Sequence, residues 1–145
     1  MPQVERVALL PYSAEQMYQL VNDVERYPQF LPGCGDARLV SSSAEELVAR
    51  LEIAKAGMRR WFTTRNRMVP GRRIELTLVD GPFRSLQGYW AFDPVDEHSC
   101  RVTLNLRFEF ANPLLALAIG GIFSQMVSGM VEAFHRRAAE GYRDR

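Results

Sequence analysis

Residues 101–134 read RVTLNLRFEFANPLLALAIGGIFSQMVSGMVEAF, and the period of their apolar positions changes once. Up to Phe110 the period is two. Val102, Leu104, Leu106, Phe108 and Phe110 fall on one side, with Arg101, Thr103, Asn105, Arg107 and Glu109 on the other. That alternation marks an antiparallel strand with one face on a core and the other in water. Asn112-Pro113 then opens a helix, because Asn caps free amides and Pro fits a first helical position whose N–H would be unpaired anyway. Leu115, Ile119, Ile122, Phe123, Met126, Met130, Val131 and Phe134 follow as a broad apolar stripe that must lie on a sheet. The stretch predicts a long C-terminal helix, weakened locally by Gly120, Gly121 and Gly129.

Upstream, from residue 36, the same period of two recurs. Leu47, Ala49, Leu51 and Ile53 oppose Val48, Arg50 and Glu52; Phe62, Thr64 and Met68 oppose Trp61, Arg65 and Arg67; Ile74, Leu76 and Leu78 oppose Arg73, Glu75 and Thr77. Pro70-Gly71, Gly81-Pro82 and the Asp93–Ser99 stretch supply the turns of a meander. At the other end, Val4–Leu10 reads as a first strand ended by Pro11. Ser13 with Gln16 three residues on forms a capping box for a helix whose apolar face is Met17, Tyr18, Leu20, Val21 and Val24. Pro28 and Pro32 break the next segment into an elbow, a short helix and loop over Val24–Cys34.

The expected architecture is one α+β domain over residues 1–145: strand, two helices, about six strands, and the long helix. A curved antiparallel sheet around a terminal helix leaves a space between the two, and that space is the candidate site. A chain of this length allows one sizeable core, with roughly 68–70% of the unfolded surface buried.

Eighteen Lys and Arg against seventeen Asp and Glu leave a net charge of +1, so any polyanion must be met by a local patch. All the cations but Lys55 are Arg, the better residue for bidentate phosphate contacts. Cys34 and Cys100 form no CxxC pair and have only His98 and His135 as metal partners, which points to reduced, packed thiols and no metal site. Met1–Leu10 lacks the basic and apolar regions of a signal peptide, and the apolar run Leu114–Phe123 is about half a bilayer span. The protein is expected to be cytoplasmic, with at most peripheral membrane contact and no DNA partner.

The elbow DVERYPQFLPGC (residues 23–34) resembles the DVxxYPxFLPxC signature of the coenzyme Q-binding protein and ribosome association toxin RatA family, a START-like branch of the polyketide cyclase/dehydrase superfamily. Further matching stretches are Lys55-Ala56-Gly57, Phe62-Thr63-Thr64-Arg65-Asn66, Val79-Asp80-Gly81-Pro82-Phe83, Gly88-Tyr89-Trp90-Ala91-Phe92 and Phe108-Glu109-Phe110-Ala111-Asn112, in family order along nearly the whole chain. The resemblance implies a helix-grip fold and a non-catalytic binder. Two roles are implied. One is a respiratory carrier whose hydrophobic cavity binds ubiquinone or a similar isoprenoid lipid, with no cofactor required. The other is a toxin that binds the large ribosomal subunit and blocks subunit association, toward which the Lys55–Asn66 stretch leans. Many members carry Trp before the cysteine; here Gly33 stands there.

Tyr27, Phe30, Leu31, Pro32, Phe62, Phe83, Trp90, Phe108, Phe123, Met126 and Met130 are the candidate ligand-binding residues, although each aromatic or Met taken singly is equally good core. Phe83, with Phe30 and Leu31, is expected to gate the cavity mouth. Arg50, Arg65, Arg67, Arg101 and Arg107 are the candidate ribosome contacts; Glu52, Glu75 and Glu109 interleave with them, so a solvated mixed-charge face is the stronger reading. No nucleophile elbow, phosphate loop, dinucleotide fingerprint or HExxH helix occurs. No catalytic set can be assigned, and a cyclase is a minority reading. His98 lies in an acidic turn and His135 beside Arg136 and Arg137, both surface positions.

Overall fold

The computed structural model describes residues 3–55 and 57–142. Seven antiparallel strands form one sheet in the order β1-β7-β6-β5-β4-β3-β2. The strands are β1 Gln3–Leu10, β2 Cys34–Ser42, β3 Glu46–Lys55, β4 Met58–Val69, β5 Arg73–Asp80, β6 Phe83–Asp96 and β7 Ser99–Phe110. Helix α1 (Ala14–Asn22) and a 3₁₀ turn (Val24–Gln29) link β1 to β2, and α2 (Pro113–Ser128) and α3 (Met130–Tyr142) close the chain over the sheet. This is the expected helix grip.

Local chemistry explains the ends. Ser13 Oγ accepts from the Gln16 amide at 3.1 Å while Gln16 Oε1 accepts from the Ser13 amide at 3.0 Å, a complete capping box worth about 1 kcal/mol. Asn112 Oδ1 accepts from the Leu115 amide at 3.0 Å and Pro113 takes the first turn of α2. The single C-terminal helix expected from the stripe is in fact two, meeting at Gly129 with a bend of 46°. The bend lets α2 roof one end of the sheet while α3 packs on α1 and the elbow. There Phe134 meets Tyr27, Phe30 and Trp90 at ring separations of 5.2, 5.1 and 5.4 Å. The hairpin expected over Asp93–Ser99 is tighter, because β6 runs on to Asp96 and only Glu97 and His98 turn. Ala56 of the Lys55-Ala56-Gly57 stretch, and Arg143 and Arg145 at the chain end, lie outside the described residues.

The core occupies the concave side of the sheet. The inward rows are Leu47, Ala49, Leu51 and Ile53 on β3, Val102, Leu104, Leu106 and Phe108 on β7, and Trp90 and Phe92 on β6, all buried. No single helix among the described residues is long and apolar enough to cross a membrane.

Candidate functional site

Between the concave sheet and the two C-terminal helices lies an apolar chamber. The sheet supplies Ala49 and Leu51 from β3, Phe62, Thr64 and Asn66 from β4, Leu76 from β5, Leu86 and Trp90 from β6, and Leu104 and Leu106 from β7. The roof is Phe123, Met126 and Val127 of α2 with Met130 of α3, and the elbow closes one end with Val24 and Tyr27. The enclosed space is about 50 Å³. That admits a few water molecules, whereas pockets for drug-sized ligands run to roughly 300–1,000 Å³.

Its polar groups are few. Thr64 Oγ1 donates to Asn66 Oδ1 at 2.7 Å, with both side chains buried. The Tyr27 hydroxyl donates to the Val21 carbonyl, and burial pushes its pKa upward. Among the described residues, Tyr27 is the only titratable one in the wall, so the lining has one acid–base group and that group is held neutral by desolvation. Cys34 and Cys100 are buried free thiols, each pushed up to about 11 by desolvation. Among the described residues, no group of three or more His, Cys, Asp or Glu gathers as a metal site.

Of the eleven candidate lining residues, Tyr27, Phe62, Trp90, Phe123, Met126 and Met130 surround the chamber. The other five lie elsewhere. Phe83 and Phe108 belong to a phenylalanine cluster with Phe62, Phe110 and Phe123, in which Phe83 lies 4.9 Å from Phe123 and 5.0 Å from Phe110. Phe83 is therefore buried core rather than an exposed gate. Leu31 is buried, and Pro32 is exposed. Phe30 is half-buried between Phe134 and the Arg137 guanidinium, which stands 5.0 Å over its ring.

Sequence reasoning misses the aliphatic lining and the Thr64–Asn66 pair. Asn66 follows the period of two as closely as its neighbours Thr64 and Met68 do; a polar residue in an inward row is the available signal. Gly33, in the position of the family Trp, has φ +90° and would place a Cβ 3.3 Å from Met126 Cβ. A side chain at this position would press on Met126 of α2, which lines the chamber.

The five candidate arginines are all exposed on the convex face. Arg65 Nε pairs with Glu46 at 3.0 Å, and the Arg50 guanidinium lies 4.8 Å over the Trp61 ring. Arg67 lies opposite Glu46 and Glu75 and Arg101 opposite Asp93, so the mixed-charge pattern holds there, while Glu52, Glu75 and Glu109 have their ion pairs with other arginines. Glu52 pairs with Arg59 at 2.8 Å, Glu75 with Arg73 at 3.9 Å and Glu109 with Arg84 at 3.4 Å.

Residues 10–135 match the family described as polyketide cyclase / dehydrase and lipid transport. The chain belongs to that family. Within it, the chain is 50% identical over 142 residues to the ribosome association toxin RatA of Escherichia coli (strain K12), an alignment covering 98% of this chain and 90% of that one. Similarity to the mitochondrial coenzyme Q-binding protein COQ10 homolog B of Xenopus laevis is lower, 28% over 138 residues, covering 92% of this chain and 57% of that protein. A START superfamily protein from Mycobacterium smegmatis superposes with a TM-score of 0.78 at 19% identity, covering 95% of this chain and 97% of the other, which supports the START-like fold. The family resemblance carried by the elbow and the helix-grip fold it implies are thus both correct.

Proposed function

We propose that this protein is a RatA-type ribosome-associating protein, which docks on the large ribosomal subunit and hinders its joining with the small one. The observation that carries the reading is the end-to-end 50% identity with proteins named as ribosome association toxins, against 28% for the coenzyme Q-binding homologue. The chamber supports the same preference. A void of about 50 Å³ is small for a quinone ring, which would have to widen it on entering. With Tyr27, held neutral, the one titratable group in its wall among the described residues, the chamber supports a binding or structural role over acid–base catalysis.

The test is sedimentation of purified protein with separated ribosomal subunits at low salt, followed by subunit joining. The expected result is co-sedimentation with large subunits only and fewer joined ribosomes. No co-sedimentation would overturn the reading.

Carriage of ubiquinone or another isoprenoid lipid is the second reading. It is favoured by the largely apolar wall, in which the hydrogen-bonded pair Thr64 and Asn66 supplies polar atoms able to meet a ring oxygen. Phe30, Leu31, Pro32, Phe83 and Phe108 would touch such a ligand only if the chamber opened. Native mass spectrometry with lipid extraction decides it: a stoichiometric quinone supports carriage, and protein that refuses added ubiquinone excludes it.

A further inference from the structure

We infer that the convex face of the sheet carries an RNA-docking stripe, formed by Arg38, Arg50, Trp61, Arg65 and Arg107, that contacts the phosphodiester backbone of large-subunit RNA. This rests on the ribosome-associating reading and gives it a surface. The strand register is what reveals the stripe. Arg38 stands opposite Arg50, and Arg50 opposite Thr63. In the next row on the same face, Ser41, Val48, Arg65, Thr77, Gln87 and Arg107 are consecutive cross-strand partners. This second row crosses from β2 to β7, about 24 Å at the usual strand spacing, without a carboxylate. The first row meets one only at its far end, where Asp80 lies opposite Thr63 beyond the register shift between β4 and β5. The glutamates that alternate with arginine on β3 and β5 fall in the flanking rows, where Glu52 and Glu75 are held by Arg59 and Arg73.

Two features point to a polyanion. Like charges directly opposite each other on a sheet cost stability, yet Arg38 and Arg50 are such a pair. Both guanidinium groups stand over one ring, that of Trp61, at 5.5 and 4.8 Å, which partly offsets the repulsion and holds the two forks side by side. Arg38 has a loose ion pair with Asp36 at 3.3 Å, and Arg65 with Glu46 at 3.0 Å, both exposed and exchangeable for phosphate. Arg50 and Arg107 have no ion pair among the described residues. Guanidinium forks held side by side over one ring, next to the row about 24 Å long that holds Arg65 and Arg107, suit the successive phosphates of a nucleotide chain better than they suit a lipid surface.

The experiment measures binding of the full chain to purified large subunits and to protein-free large-subunit RNA across a salt series, for wild type, R50E/R107E and R50Q, with thermal melts of each. The stripe predicts that R50E/R107E lowers the slope of log affinity against log salt by about 2 on both targets. It also predicts that R50Q weakens binding while its melting temperature stays level or rises, since a repelling pair is relieved; a purely structural Arg50 would melt lower. Wild-type binding to subunits with unchanged R50E/R107E binding overturns the stripe and leaves the ribosome reading standing. Wild type that ignores subunits overturns that reading; the stripe then survives only if protein-free RNA still binds with the predicted slope change. Stripe-dependent binding to phosphatidylglycerol vesicles that RNA does not displace makes the face a lipid surface and overturns the proposal.

Discussion

The two faces of this one sheet solve opposite problems with the same alternating strands. On the concave face, cross-strand neighbours are of like character, so that Leu104 and Phe108 of β7 lie opposite Trp90 and Leu86 of β6, beneath Phe123 and Met126. On the convex face, charged residues alternate along each strand and the register decides which of them meet: Arg65 and Arg107 fall in one row without a carboxylate, whereas Arg67 stands between Glu46 and Glu75 and Arg101 opposite Asp93. A pattern read along the chain predicts the first face well and the second poorly. Burial is a property of single residues and shows up in their periodicity; net charge over a patch depends on which strands pair and in what register.

Substituting neighbours on one strand should separate the two faces most clearly. Phe108 of β7 is 1% exposed and packs against Phe123 and Phe110 at ring separations of 4.9 and 5.8 Å. Phe108→Ala is expected to lower unfolding free energy by about 3–5 kcal/mol, the usual cost of emptying a rigid aromatic site. Chemical denaturation monitored by tryptophan fluorescence measures it. A loss under about 1 kcal/mol would mean that the phenylalanine cluster collapses readily and that the concave face is less rigid than its packing implies.

The next largest effect belongs to the seam between elbow and roof. Gly33→Trp puts a large side chain where φ is +90° and where even a Cβ would sit 3.3 Å from Met126. The expected cost is about 1–3 kcal/mol from the backbone conformation alone, with α2 lifted from the elbow and the chamber enlarged. Greater uptake of ubiquinone by this variant than by wild type would show that Gly33 is what keeps the chamber closed; equal refusal by both would place the restriction elsewhere.

Much of this architecture is legible in the sequence. The strand at 101–110, the cap at Ser13 and the start at Asn112-Pro113 each rest on local chemistry that tertiary packing does not override. What is illegible depends on contacts between distant residues. The break at Gly129 follows from two packing partners, the sheet for α2 and α1 with the elbow for α3. Glu52 sits on the outward side of β3 yet is buried, because Gly35 on the neighbouring strand leaves room for its carboxylate: a Cβ at Gly35 would lie 2.5 Å from Glu52 Oε1. Phe83 resembles a gate because a Gly-Pro turn precedes it, but the four other phenylalanines that enclose it come from β4, β7 and α2.

A smaller effect distinguishes the interior by pH. Cys34 and Cys100 have thiols raised from 9.0 to about 11 by desolvation, so the folded protein binds their protons more tightly than the unfolded chain does. The stability this represents is complete below pH 9, where both states are protonated. It is lost as pH rises through about 11, because unfolding then releases protons. Tyr27, raised for the same reason, extends the loss to higher pH. Melting temperature should fall across this window, and C34A/C100A should fall less steeply. Parallel curves for the two proteins would mean that the thiols are hydrated in solution.

The smallest expected effect lies next to the largest. Arg107 precedes Phe108 on β7, projects from the opposite face, is exposed, and has no ion pair to lose among the described residues. Arg107→Ala should therefore change stability by no more than about 0.5 kcal/mol in either direction. In the same denaturation experiment, Phe108→Ala and Arg107→Ala would differ several-fold although their backbones are adjacent. A cost of about 1 kcal/mol or more for Arg107→Ala would instead make the arginine an anchor of the sheet, its stem packed on Gln87 and Gln3 in the cross-strand positions. The convex face would then be part of what holds the fold together, and loss of RNA binding on charge reversal could no longer be read as loss of a contact alone.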